Sequence, residues 1–425
     1  MRIPLLLLLL LLVLWPVPAG AHVVAPGADL RIAQTIAGAE LTITVRGVSR
    51  TPAPAVVEIE AFRPVPDLPI ELTLRSTETG RTVHASMRLV AGRVGPYRTS
   101  MQVYRAGPYE LEVRTPGERS LLPVRVLVPA TSPWELVIHG GFYVAGILVV
   151  AGLLTGGMSR RGPAMAVRAG AVAGVVALTV AVVSPQLPLP VPEGAAPELP
   201  AQNGVGGRPY LMATFGTQPA RPAAGAEFTL LMDLVDGSTG RPADDLVLHH
   251  EAMAHVVVTS EDGTYFRHLH PVRLAPGRLA VRLRADRPGR YLAHAELERT
   301  DSGGQLVAGE FTVTGTSAGE ATRAVSSVVP VIVPARPVAG RPTTIEIPVT
   351  GRLQPWLGMP GHLIVRDRKG AFLGHLHATP TRTSALTFTF SFPAPGTYFA
   401  WAQYARDSTI ETVPFTITVG TESDT

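Results

Sequence analysis

The feature that most constrains the fold is an internal repeat, because one pattern of three histidines occurs twice, 107 residues apart. A single histidine precedes a His-Leu-His triplet, which gives His255, His268 and His270 in the first copy and His362, His375 and His377 in the second. The alignment continues without a gap into a Pro-Gly-x-Tyr segment, at residues 288–291 and 395–398. Such a repeat indicates two copies of one structural unit. Since imidazole is the commonest protein metal ligand, the pattern also predicts a binding site.

The composition narrows the classes of fold and of ligand. The 425 residues include 42 Gly and 40 Pro, which is typical of turn-rich β domains. Cysteine is absent, so disulfides and thiolate ligands are excluded, and a metal would need His, Met, carboxylate or backbone groups. Charged residues make up only 16% and form no basic block, so we expect no nucleic-acid partner.

The first 21 residues have the pattern of a secretory signal peptide. Arg2 precedes an apolar run too short to span a bilayer, and small residues follow at 19–21. Cleavage after Ala21 would leave His22 as the first residue, where its α-amine and imidazole together could chelate copper. The alternative is that His22 stands there by accident of the cleavage site, or that the segment stays uncleaved as an anchor.

Two later segments, 134–158 and 169–187, are long and apolar enough to be transmembrane helices. The loop between them, 159–168, contains Arg160, Arg161 and Arg168, so the positive-inside rule predicts a cytoplasmic loop. Both large flanking regions then lie on the extracytoplasmic side, in agreement with the signal peptide. The Pro-rich segment 188–207 is predicted to be an extended linker.

The remaining regions are typical of short strands separated by turns. The sequence predicts three immunoglobulin-like β-sandwich domains, at 22–132, 208–315 and 326–420. The fold class is therefore mainly β, with three sandwiches and a two-helix transmembrane hairpin. The cysteine pair of antibody domains is missing, so the likeness is one of architecture only.

The turn in the first hairpin determines which histidines share a face. Asp262-Gly263 is a strong hairpin signal between two β-rich runs. A two-residue loop places His255 opposite His268 or His270, depending on its position, and both registers put all three histidines on one face. A three-residue loop would place one strand's side chains on the other face.

Further candidate ligands distinguish the two copies. His294 could supply a fourth imidazole in the first copy, where Met253 also lies nearby, whereas Trp401 occupies the position of His294 in the second copy. Imidazoles with a thioether suit copper, and imidazoles alone suit copper or zinc. The two copies should therefore differ in affinity, and the first is favoured if only one binds. The alternatives are that the histidines bond backbone carbonyls and stabilise the hairpins, or that they sense pH.

Residues 353–362, 375–377 and 395–403, and the corresponding residues 246–271 and 288–291, resemble the YtkA-like domain family. That family is similar to small extracytoplasmic β-sandwiches found beside copper-handling proteins, including the CopC type. The resemblance implies a β-sandwich and a link to copper. It is incomplete, because Ala378 replaces a proline and Trp401 replaces a histidine. The N-terminal region resembles a CopC-like module only through His22 and its β character.

The function expected from these patterns is binding of a metal, copper or else zinc, by an integral protein of the cell membrane whose N- and C-terminal domains are extracytoplasmic. Capture, delivery or resistance, with a possible envelope protein as partner, would fit such a protein. The alternative is a metal-free structural or interaction module of an envelope complex. No Ser/His/Asp order, carboxylate pair or phosphate loop stands out, so we expect no enzyme.

Overall fold

The structure is a computed structural model that describes residues 26–130, 132–155, 161–184, 191–196, 210–300, 302–317, 327–379, 385–407 and 409–422. The predicted signal peptide, His22 and most of the Pro-rich linker lie outside these residues. Strands dominate the described chain, and two long helices interrupt them. The predicted fold class, mainly β with sandwich-like domains and an apolar helical pair, is confirmed.

The N-terminal sandwich contains eight strands among the described residues: β1 Leu30–Ile36, β2 Ala39–Val45, β3 Ala53–Ala61, β4 Leu68–Ser76, β5 Thr82–Leu89, β6 Tyr97–Val103, β7 Gly107–Thr115 and β8 Glu118–Val126. They form two antiparallel sheets, in the orders β1-β2-β3-β6 and β5-β4-β7-β8. Buried and exposed residues alternate along most of these strands, so the buried side chains of the two sheets face each other. In β4, for example, Ile70, Leu72 and Leu74 are buried and the residues between them are more exposed.

Two apolar helices follow, α1 at Pro133–Leu154 and α2 at Arg161–Val183, and both are long and apolar enough to cross a membrane. The two helices are in close contact at Gly152, where an added Cβ would lie 2.7 Å from Val167 Cγ2. Helix α2 begins well before residue 169, so much of the predicted loop 159–168 is helical. Pro163 is compatible with this start because it lies in the first turn, where no intrahelical amide partner is lost.

The first repeat contains β9 Leu211–Gln218, β10 Glu227–Asp236, β11 Leu246–Val247, β12 Ala254–Ser260, β13 Phe266–Leu269, β14 Val272–Ala275, β15 Arg278–Arg284, β16 Gly289–Arg299 and β17 Gly303–Val313. One sheet has the order β14-β15-β10-β9. The other contains β11, β12, β13, β16 and β17, and we call it the first histidine sheet.

The second repeat contains β18 Val331–Val333, β19 Pro342–Pro348, β20 Leu353–Gln354, β21 His362–Asp367, β22 Leu373–His377, β23 Ala385–Ser391, β24 Gly396–Arg406 and β25 Thr409–Val419. One sheet has the order β18-β19-β23. The other contains β20, β21, β22, β24 and β25, and we call it the second histidine sheet. Its strands match those of the first histidine sheet one for one.

The two histidine sheets pack against each other through the faces turned away from their own cores. An apolar cluster joins them, with Val257 and Phe266 on one side and Ile364, Leu373 and Trp401 on the other. Phe266 and Trp401 are stacked, with ring centroids 4.7 Å apart and planes 14° apart. The central strands of each histidine sheet, β12 and β16 or β21 and β24, are thus largely buried on both faces, and a polar group on the covered face must find a partner there.

Arg366 joins the two repeats at one end of this interface. Its side chain is fully buried, and its guanidinium donates to Thr259 Oγ1 (2.6 Å), to Ser260 O (3.0 Å) and to Glu261 O (2.9 Å). Burial lowers the pKa of Arg366 to about 10, which leaves it charged at neutral pH. One cation therefore satisfies three acceptors of the opposite repeat.

Replacing Arg366 should weaken the interface between the two repeats. We expect Arg366→Ala to destabilise the protein by about 3 kcal/mol, because it leaves buried acceptors without donors. Thermal melting of the detergent-solubilised chain measures the effect. Arg368→Ala, which removes an exposed arginine two residues away, is the matched control. Equal melting temperatures for the two variants would contradict this role.

Candidate metal centre

The hairpin registers place the three histidines of each copy on one face. In the first copy Val257 pairs with His268, a register that puts His255 opposite His270. In the second copy His362 pairs directly with His377. The register is one of the two predicted from the Asp-Gly turn, and the shared face is confirmed.

Packing of the two histidine sheets then brings both sets together. Candidate ligand atoms of His255, His268 and His375 all lie within 4.8 Å of one another, and the same holds for His362, His375 and His377. The first of these groups contains residues of both copies. The expectation that the first copy is favoured if only one binds stays a prediction, and the shared face adds His375 of the second copy to the first copy's histidines.

Distances between ring nitrogens repeat from one copy to the other. His255 Nδ1 lies 3.2 Å from His268 Nε2, and His362 Nδ1 lies 3.1 Å from His375 Nε2. His270 Nε2 is also 3.2 Å from His255 Nδ1. With metal–nitrogen bonds of about 2.0 Å, the edge of a tetrahedron is about 3.3 Å long. The spacing is thus that of imidazoles arranged around an ion.

The hydrogen-bond partners of His255 and His362 determine their tautomers. His255 Nε2 donates to His249 O (3.1 Å), and His362 Nε2 donates to Trp356 O (3.2 Å). A carbonyl oxygen only accepts, so each Nε2 carries the hydrogen. The Nδ1 lone pair of each ring therefore faces the neighbouring histidines.

Three of the four histidines of the His-Leu-His triplets carry their hydrogen on the other ring nitrogen, Nδ1, which donates to an acceptor outside the cluster. His268 Nδ1 donates to Gln403 Oε1 (3.0 Å), and His375 Nδ1 donates to Glu296 Oε2 (2.6 Å). His270 Nδ1 donates to Glu40 Oε1, from the N-terminal sandwich. Each ring then presents its Nε2 lone pair inward. Hydrogens outside and lone pairs inside are what a metal-ligating histidine needs, because a partner on the outer nitrogen fixes the tautomer.

The support for the histidines is exchanged between the copies. Glu296 and Gln403 occupy equivalent positions, 107 residues apart, and each bonds a histidine of the other copy. The orientation of Gln403 is fixed because its Nε2 donates to Thr412 Oγ1 (3.1 Å), which leaves Oε1 to accept. Each half of the site is therefore complete only when the repeats are packed together.

His377 and His250 extend the site toward solvent. His377 Nε2 is buried and has no hydrogen-bond partner among the described residues, an expensive state for a nitrogen unless an ion or water occupies it. The ring of His250 lies 3.9 Å from that of His377. His250 was not among the predicted ligands. The signal for it was its place beside His249 and Glu251, where a tight turn with φ of 47° at His250 directs it to the site.

Five histidines of the cluster have lowered pKa values. Burial, and then the neighbouring histidines, lowers the pKa of His255, His268 and His362 well below the ordinary 6.5. The same causes lower the pKa of His250 to about 4 and that of His377 to about 3. At pH 7 these rings are neutral, which is the form that binds metal.

A carboxylate beside the cluster stays charged. Burial acts to raise the pKa of Glu296, but the hydrogen bond from His375 outweighs it, so the pKa lies below its usual value. Glu298 lies 3.3 Å from His249 Nδ1, at the solvent side of the same cluster. Negative charge therefore surrounds the inward lone pairs.

Four of the predicted ligands are in neither group. One of them, His270, still has its Nε2 3.2 Å from His255 Nδ1. His294 shares the face, but its Nε2 donates to Gly370 O (2.9 Å), toward the end of the interface away from His255. The expectation of His294 as a fourth ligand is thus not supported. Met253 is buried in an apolar cluster with residues of the N-terminal sandwich. His22 lies outside the described residues.

The N-terminal sandwich closes one side of the site. Thr35 N donates to His270 O (2.7 Å), and His270 N donates to Thr35 Oγ1 (3.0 Å). Together with Glu40, these contacts fix His270 from β1 and β2. Nothing in the sequence pattern pointed to Thr35 or Glu40, which lie some 230 residues from His270 along the chain.

Comparisons with known proteins define what the chain is similar to. The family model "Domain of unknown function (DUF8832)" matches residues 213–317 and 329–421, which correspond to the two repeats. No curated protein matches the chain. The repeats are therefore similar to a family whose description assigns no function.

Several solved structures have regions similar to parts of the chain, all at low TM-scores. The adhesin InvE of Yersinia pseudotuberculosis has 13% identity and a TM-score of 0.17, with 49% of this chain and 59% of that chain covered. The FN1–FN3 domains of chicken CNTN1 have 8% identity and a TM-score of 0.18, with coverages of 89% and 97%. The bacterial integrin-binding protein invasin has 10% identity and a TM-score of 0.17, with coverages of 92% and 60%. The chain spans about three fifths of InvE and of invasin.

Acid should destabilise the metal-free protein through the cluster. Because these histidines have lowered pKa values when folded, the unfolded chain binds more protons below about pH 6.5. They therefore leave the free energy of unfolding unchanged above that pH and lower it as the pH falls further.

Denaturation midpoints measured with chelator between pH 7.5 and 4 test this. The double variant His255→Gln/His362→Gln, which removes two of the titrating rings, should show a shallower loss between pH 6.5 and 4. Identical slopes for the two proteins would contradict the assignment.

Proposed function

We propose that the protein is a membrane-anchored, extracytoplasmic metal-binding protein that acts in the capture, delivery or resistance of copper. The observation that carries the proposal is the arrangement of the buried histidines. Their hydrogens are bonded outward to carbonyl, amide and carboxylate oxygens, and their lone pairs converge at spacings of about 3.2 Å. Neutral imidazoles that only stabilise hairpins have no need to direct lone pairs at one another.

The donor set favours a borderline divalent ion. The two groups consist of imidazoles, and Met253 is packed elsewhere, so the soft thioether that would favour Cu(I) is not among them. Cu(II) binds nitrogen sites more tightly than Zn(II) does, and zinc is the alternative. The resemblance of both repeats to the YtkA-like family supports the same choice of metal.

The proposed location is supported by the two apolar helices and by the arginines between them. The two apolar helices support membrane association. Arginines at the connection between them support a cytoplasmic turn, so the three sandwiches would lie outside. A partner in the envelope would receive or supply the ion, and we assign no catalytic step to the protein.

Removing three inward nitrogens should abolish binding. We expect wild-type protein to retain Cu(II) or Zn(II) through desalting and a His255→Ala/His268→Ala/His375→Ala variant to lose it, as measured by metal analysis and by calorimetric titration. His84→Ala removes an exposed histidine of the N-terminal sandwich and should bind as wild type does. Unchanged affinity in the triple variant would refute the proposal.

The residues that bond the outer nitrogens of the histidines should affect the affinity for metal. Loss of a carboxylate that orients a ligand commonly costs 10–100-fold in metal affinity. We therefore expect Glu296→Leu to weaken binding by about that factor. Glu296→Gln should lose much less, because an amide oxygen already orients His268 from the equivalent position, Gln403. Equal losses in both variants would mean that orientation of His375 is unimportant.

A second function is favoured by the contacts of His270. Its bonds to Thr35 and Glu40 attach the first repeat to the N-terminal sandwich, as a purely structural histidine would. On that view the protein is an interaction module of an envelope complex. The triple variant would then melt at a lower temperature, and added Cu(II) or Zn(II) would not shift the melting temperature of the wild type.

A further inference from the structure

We infer that the centre holds two metal ions side by side, one for the histidine set of each copy, at the junction of the two repeats. This inference rests on the proposed function and specifies the site further. One ion would be held by His255, His268 and His270, since the Nε2 atoms of the last two each lie 3.2 Å from His255 Nδ1. The other would be held by His362, His375 and His377. Neither set requires a residue from the other copy as a direct ligand.

The number of inward nitrogens exceeds what one ion can use. A tetrahedral ion with bonds of about 2 Å accepts four nitrogens. Five of the six rings have an outer acceptor that leaves one lone pair directed inward: His255, His268, His270, His362 and His375. The sixth, His377, has a buried Nε2 without a partner among the described residues. A single ion would leave buried lone pairs unsatisfied, which is costly.

The equivalence of the two copies supports one ion for each. In each copy a ring with an Nδ1 lone pair, fixed by a carbonyl oxygen, lies 3.1–3.2 Å from the Nε2 of the first His-Leu-His histidine. In each copy the carbonyl comes from the turn six residues upstream, at His249 or Trp356. A geometry that suits an ion in one copy therefore recurs in the other.

The two sets are also contiguous. His375 lies within 4.8 Å of ligand atoms of both His255 and His268, and its ring centroid is 4.9 Å from that of His255. The two positions therefore adjoin at His375. An ion on one side would be close enough to interact electronically with an ion on the other.

Carboxylates offset the charge that two divalent ions would bring. Glu40 bonds His270, Glu296 bonds His375, and Glu298 pairs with His249. Their side chains are 12%, 28% and 16% exposed, so their charges are only partly screened by water. A single divalent ion would not need three such groups.

The residues that orient the two histidine sets differ, which predicts unequal affinities for metal. The first set is oriented by the amide of Gln403 and the carboxylate of Glu40. The second is oriented by the carboxylate of Glu296, and the ring of His250 lies beside that of His377. The ions should therefore load in two separable steps.

Stoichiometry and spin coupling test the inference. Detergent-solubilised full-length protein is titrated with Cu(II) and followed by native mass spectrometry and electron paramagnetic resonance. We expect two copper ions per chain at saturation. We also expect a resonance signal per copper that weakens as the second ion loads, because neighbouring Cu(II) spins couple. His270→Gln and His377→Gln should each retain one ion with full signal intensity, and His84→Gln should retain two.

The outcomes separate this inference from the proposed function. Saturation at one ion in the wild type, abolished by either substitution, would establish one shared site, so the two-ion inference would fail while metal binding stood. No retained ion would overturn both. Two ions with full, uncoupled signal, or two ions unaffected by both substitutions, would place copper elsewhere and overturn the inference. The wild-type stoichiometry decides the matter even if a variant fails to fold, which its melting curve reports.

Discussion

Burial of two sheet faces against each other is the constraint on which the rest of the structure depends. An ordinary sandwich sheet buries one face in its own core and leaves the other to solvent. Here the central strands of both histidine sheets are covered on their outer faces as well, so the polar groups there must be paired inside the protein. Phe266 and Trp401 stack at the middle of the interface, with Arg366 toward one end and the histidines toward the other. The apolar middle provides the attraction that keeps the polar groups desolvated.

That burial explains why the histidines are organised as they are. A desolvated imidazole must satisfy its N–H, and five of the six rings do so with an acceptor from a turn, the other repeat or the N-terminal sandwich. Because one ring nitrogen donates its hydrogen outward, the lone pair of the other ring nitrogen is directed inward. Glu40 extends the dependence to the N-terminal sandwich, so three domains must be in contact for the site to be complete. The packing of the domains and the geometry of the ligands therefore depend on the same contacts.

Part of this arrangement was accessible from the sequence, because it depends on local rules. The Asp262-Gly263 turn and the spacing of His255, His268 and His270 determine hairpin parity, and parity determines the shared face. The sandwich architecture follows from alternation, and the two helices follow from apolar length. The pairing of the repeats could not be predicted, because no local pattern states which face of a sheet will be covered. Trp401 shows the difficulty: comparison of the copies indicated a missing ligand, whereas the side chain stacks on Phe266 across the interface.

The positions around the histidines show how two equivalent halves can be given different properties. Glu296 and Gln403 occupy the same place in the two copies and form the same hydrogen bond, but one carries a full negative charge and the other does not. A carboxylate increases the basicity of the ring that it orients more than an amide does, so the two halves differ without any change of ligand. His294 and Trp401 diverge in the same way, one bonding Gly370 O and the other packing on Phe266. Differences of this kind leave the inward nitrogens in place and change only what surrounds them. For two ions held next to each other, such inequality of surroundings would give an order of loading and a direction for transfer.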